Sequence, residues 1–118
     1  MPGSLWDKCV QQLQHDLPEQ HYWDTQQRLS FLEKRRNNWD SAVEAWQLAA
    51  DGKQIYAHVE LAKFYEHKQR DYHEAALWTQ TALDILTTPS ASGRDRREWL
   101  SDLKHRLARL QRKIERNL

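Results

Sequence analysis

The chain has 118 residues, with 18 Lys or Arg against 17 Asp or Glu and a formal net charge of +1. It is therefore the size of one domain and carries no global charge that would commit it to nucleic acid or to an acidic surface. A lone cysteine, Cys9, excludes a disulfide framework and a cysteine-based metal centre and points to a reducing cytoplasm. Its apolar runs are only a few residues long, against the roughly 20 that a membrane-spanning helix needs, and its first residues lack the basic-then-apolar order of a secretory leader.

Three glycines and three prolines leave few breaks, so the pattern predicts helices from end to end. Ser4 caps a first helix over 4–17, with Trp6, Val10, Leu13 and Leu17 as its apolar stripe and Pro18 as its stop. A second, 21–36, carries Leu29, Phe31 and Leu32 and ends at Asn37-Asn38, residues that favour turns. A third, 39–50, places Trp39, Ala42, Val43, Trp46, Ala49 and Ala50 at helical spacing, with Asn38 as cap and Gly52 as its left-handed terminator.

The fourth helix, 53–68, aligns Tyr56, Val59, Leu61, Ala62, Phe64 and Tyr65. Asp71 and Glu74 form a capping box for a fifth, which carries Ala75, Leu77, Trp78, Ala82, Leu83 and Leu86. Residues 87–93 are a loop, and Ser92 caps a sixth helix, 94–117, whose Leu100, Leu103, Leu107, Leu110 and Ile114 alternate by three and four. That seam covers the preceding helices or pairs with a second chain.

The chain also matches itself at an offset of 33 residues. Phe31 falls over Phe64, Glu33 over Glu66, Ala42 over Ala75, Ala49 over Ala82 and Asp51 over Asp84. Apolar positions follow suit, with Leu32 over Tyr65 and Trp39 over Tyr72. A period of this length marks stacked helix pairs, in which each unit buries its neighbour's apolar face and presents a binding surface.

Charge is segregated. Residues 94–118 hold nine Lys or Arg against four Asp or Glu, net +5, whereas residues 1–93 hold nine against thirteen, net −4. Arg106, Arg109, Lys113 and Arg116 follow helical spacing and form a basic stripe suited to tracking phosphates. No base-reading or stacking groups accompany the stripe, which favours the plainer reading of a solvated face that balances, or docks on, the acidic amino-terminal part.

Leu61-Ala62-Lys63-Phe64-Tyr65, then Asp71 to Ala76 and Thr81-Ala82-Leu83, resemble a tetratricopeptide repeat, and residues 29–50 resemble a more degenerate one. The closing proline of each repeat is replaced by Asp51-Gly52 in one and delayed to Pro89 in the other. Residues 35–46, 59–67 and 105–110 are also similar to the helical carboxy-terminal region of YprB-like proteins, which follows an RNase H-like nuclease fold. The expected fold is thus all-α: one domain, 1–118, with a leading helix at 4–17. A right-handed stack of two antiparallel helix pairs, 21–51 and 53–87, follows, and then a long capping helix, 94–117.

What the resemblance implies is a cytoplasmic bacterial interaction module serving a nucleic-acid-processing assembly. By carry-over from the repeat family, Trp23, Gln27 and Lys34 of one repeat and Tyr56, Lys63 and His67 of the next line a groove for a protein or peptide partner with acidic groups; the other reading of the same residues makes Trp23 and Tyr56 packing residues and the lysines ordinary solvated charges. Direct nucleic-acid contact through the basic stripe is the alternative. Catalysis finds no support: no two of the six histidines stand three or four apart, and Gly3, Gly52 and Gly93 are isolated. No metal or cofactor is expected.

Overall fold

A computed structural model describes residues 18–117. The helix expected at 4–17 and Cys9 lie outside the described residues. Five helices run in order: α1 (Pro18–Arg35), α2 (Trp39–Asp51), α3 (Ile55–His67), α4 (Tyr72–Leu86) and α5 (Gly93–Arg116), with no strand among the described residues. The chain divides into two compact units, one ending at Ala45 and the other beginning at Trp46, so the boundary falls inside α2.

In the first unit, Pro18 opens α1 rather than only closing what precedes it. A proline fits the first helical position because that N–H has no intrahelical acceptor to lose. Leu29 and Leu32 of α1 are exposed, at 50% and 39%, while Ser30 between them is fully buried and its hydroxyl donates to the Gln27 carbonyl at 2.7 Å. A small hydroxyl that satisfies itself on its own helix enters an interior position that leucine does not fill.

The α1–α2 turn closes through Asn38 N–H to the Glu33 carbonyl at 2.9 Å, with Asn37 in the left-handed region at φ 61°. The side-chain amide of Asn38 donates back across the same turn to Glu33 at 2.6 Å. After α2 the left-handed residue is Lys53, also at φ 61°, and not Gly52 as the sequence predicts. The turn runs one residue longer, with Gln54 N–H bonded to the Ala49 carbonyl at 3.0 Å.

The second unit is built on α3, whose residues 55–62 are all buried. A helix enclosed all round over two turns is an interior helix and not an amphipathic one. Ile55 and Val59 of α3 join Ala82, Leu83 and Leu86 of α4 and Leu103 of α5 in one apolar core, with Ile85, Trp99, Leu100 and Leu107 packed against it. Ala75 and Ala82 are fully buried, as short side chains must be where two helices approach closely. Leu77, expected on the apolar face of α4, is 59% exposed, and Thr79 takes the interior with its hydroxyl on the Ala75 carbonyl at 2.8 Å.

Caps set the ends. The Asp71 side chain accepts from the Glu74 N–H at 3.1 Å and opens α4. Ser92 accepts from the Asp95 N–H at 2.9 Å and opens α5. Arg96 reaches back from α5, its Nε donating to the Leu86 carbonyl at 2.8 Å and its Nη2 to Thr88 at 2.7 Å. A cation thereby satisfies carbonyls at the negative end of α4. Leu103 and Leu110 of the α5 seam are buried within the chain, at 1% and 0% exposure.

Candidate functional site

Glu66, one residue from the end of α3, has a side chain only 1% exposed. A carboxylate there adds to the negative end of the helix dipole and is costly unless cations answer it. Three do, all from α5. Arg106, Arg109 and Lys113 are spaced by three and four residues and so share one helix face. Arg106 Nη1 donates to Oε1 at 3.0 Å, Arg109 Nη2 to Oε1 at 2.9 Å and to Oε2 at 3.2 Å, and Lys113 Nζ to Oε2 at 2.7 Å.

Burial alone would raise the Glu66 pKa. The hydrogen bonds and charges of Lys113 and Arg109 outweigh it and hold the carboxyl at about 2. Burial, and then the adjacent Arg109 charge, lower the pKa of Arg106 despite the pull of Glu66. Lys113 Nζ also lies 5.2 Å from the centre of the Tyr72 ring, within cation–π range. The basic stripe is therefore largely turned inward: three of its four members meet Glu66, and Arg116 is exposed.

Beside this cluster an open cleft of about 270 Å³ runs between α3 and α5, its lining including Val59, Lys63, Trp99, Asp102, Arg106 and Arg109. Lys63 is 43% exposed and pairs with the buried Glu60 at 3.5 Å. Lys63, assigned by sequence to a peptide groove, and Arg106 and Arg109, assigned to phosphates, thus line one cleft. Trp99 and Asp102 carried no motif, and only the helical period would have placed them on that face.

Of the remaining groove residues, Tyr56 is 8% exposed and buried with the rest of the first two turns of α3, so it is a packing residue. His67 is 62% exposed, with Nε2 3.7 Å from Glu66. Trp23, Gln27 and Lys34 belong to the first unit and are half-buried. Trp23 stands edge-on to Tyr22 with ring centres 4.8 Å apart. Lys34 Nζ sits 5.9 Å from the Phe31 ring centre, and both border a shallow hollow with Arg35 and Trp39.

Among the described residues no three His, Cys, Asp or Glu are grouped to hold a metal ion, and no helix is long and apolar enough to cross a membrane. No family model matches this chain, and neither does any curated protein or solved structure.

Proposed function

We propose that this chain is a non-enzymatic interaction module, a tetratricopeptide-like right-handed stack of two helix pairs that holds an acidic peptide or protein partner. The observation that carries the reading is local recurrence at the 33-residue offset. Asn37 and Arg70 both take the left-handed conformation, at φ 61° and 53°. The carbonyls of Asn38 and Asp71 both accept the N–H four residues on, from Ala42 at 3.1 Å and Ala75 at 3.0 Å. Ala42, Ala49, Ala75 and Ala82 are all fully buried. Left-handed residues at matching positions, a matching first backbone bond in the second helix and close-approach alanines support two copies of one supersecondary unit, although among the described residues only the second copy has a side-chain cap, at Asp71.

Support for an acidic partner comes from cations beside aromatic rings in each unit: Lys34 and Arg35 with Phe31 and Trp39, and Lys63 and Arg109 with Trp99. A cytoplasmic setting and a place in a nucleic-acid-processing assembly follow from the resemblance to YprB-like proteins. Direct nucleic-acid binding by α5 is the weaker reading, because Glu66 draws three of the four cations to one point and leaves no stripe to track successive phosphates.

Affinity capture from lysate of the source cells, with the wild-type chain and a Lys34→Glu/Lys63→Glu variant, tests the reading. A protein retained by the first and lost by the second supports it. Identical retention profiles overturn it.

A further inference from the structure

From the α3–α5 cleft we infer a carboxylate-binding site, in which Arg106 and Arg109 grip one acidic group of a peptide while Trp99 takes the apolar side chain beside it. This rests on the interaction-module reading and deepens it by naming the place and chemistry of contact.

The first support is how the two guanidinium groups are held. Each is anchored through one nitrogen to Glu66, Arg106 by Nη1 and Arg109 by Nη2. A guanidinium has five N–H donors in a fixed fork, so each retains donors beyond those spent on Glu66 while lining the cleft. Their orientation is set before any ligand arrives, which removes much of the ordering cost that long cationic side chains otherwise impose on binding. Arg109 is 42% exposed and Arg106 17%, so the outer member meets the ligand first and the inner one completes the grip.

Charge decides how much anion the cleft takes. On and directly behind the lining, Lys63, Arg106, Arg109 and Lys113 stand against Glu60, Glu66 and Asp102, a surplus of one positive charge with His105, also on the lining, counted as neutral. One carboxylate neutralises it. A dianionic phosphate would overshoot and would also face Asp102 at the lining, and a nucleic-acid strand would bring several charges to a place with room for one.

Size agrees. At about 270 Å³ the cleft lies just below the range for small-molecule sites, roughly 300 to 1,000 Å³, and admits one or two side chains. Its apolar wall is the half-buried Trp99, with the core residues Val59 and Leu103 behind it, which favours a carboxylate next to a leucine-like neighbour over a free inorganic anion.

The test uses the full chain and NMR titration of the arginine Nε–H and tryptophan indole N–H signals. The probes are acetyl-Leu-Glu-amide, acetyl-Leu-Gln-amide, inorganic phosphate and a thymidine decamer. Acetyl-Leu-Glu-amide should shift Arg106, Arg109 and Trp99 saturably, with the glutamine probe at least tenfold weaker. Arg109→Lys, which keeps the charge on Glu66 but loses the fork, should weaken binding about tenfold, and Lys63→Gln, which leaves the Glu66 cluster intact, about threefold. Equal responses to the glutamate and glutamine probes, tighter saturation by phosphate or the decamer, or unchanged binding in both folded variants would each overturn the assignment. A failed titration beside a partner captured in a Lys34- and Lys63-dependent way removes this cleft alone. Saturable glutamate binding with no captured partner removes the module reading and leaves the site.

Discussion

Lys113 and Glu66 stand 47 residues apart in the chain and 2.7 Å apart in space, joined by the shortest of the contacts that fasten α5 to the end of α3. Removing the carboxylate strands three cations around a buried position. Breaking a fully buried pair costs about 3 to 5 kcal/mol, and the partial exposure of Arg109 and Lys113 discounts that. Glu66→Gln should therefore lower unfolding free energy by about 2 kcal/mol at neutral pH, read from urea transitions with an unchanged slope.

The same pair sets an acid response. The Glu66 pKa is lower in the folded chain, about 2 against 4.5, so its contribution is complete above pH 4.5 and is lost as pH falls towards 2. The gap between wild type and Glu66→Gln should narrow over that window. A gap independent of pH there would contradict the ion cluster.

His58 produces a separate effect nearer neutrality. Its ring is 2% exposed, 5.7 Å from Trp78 and edge-on to it, and Nδ1–H donates to the Gln54 carbonyl at 2.9 Å. Burial lowers its pKa below 6.5, outweighing that hydrogen bond. Well above pH 6.5 both states are neutral and nothing changes. Below it the unfolded chain binds a proton that the folded chain resists, so stability should fall by up to about 1.4 kcal/mol per pH unit. NMR titration of the ring should give a midpoint below 6.5, and His58→Phe should flatten the stability slope between pH 6.5 and 5.

Lys53 and Arg70 occupy left-handed conformations that cost an L-residue about 1 to 2 kcal/mol. Glycine relieves this and gives back roughly 0.5 to 1 kcal/mol in chain entropy. Lys53→Gly and Arg70→Gly should each raise stability by up to about 1 kcal/mol in chemical denaturation. Lys53→Val should lower it.

Arg96 ties the start of α5 to the end of α4 through two carbonyls, Leu86 and Thr88. Charge-assisted hydrogen bonds contribute about 1.5 to 3 kcal/mol where buried and less at a partly exposed site. Arg96→Met, which keeps the stem, should cost about 1 kcal/mol and speed amide exchange in residues 86–89.

The described helices, the caps at Asp71 and Ser92, and the loop predicted at 87–93, which α5 shortens by one residue at Gly93, were legible in the sequence because each depends on residues within one or two turns of chain. So was the common face of Arg106, Arg109 and Lys113. What that face meets was not legible, since Glu66 comes from 40 or more residues away and periodicity says nothing about which surfaces oppose one another. The same limit explains why Tyr56 could be read either as a groove or as a packing residue, and why Leu77 looked like a core one: enclosure depends on neighbours, not on residue type. Local composition alone determined that the described residues are helical and where most of their turns fall, while the turn after α2 runs one residue past the predicted Gly52. Only tertiary packing decided that a basic stripe would close on a buried carboxylate, because the cost of burying Glu66 is met by charges that folding brings together.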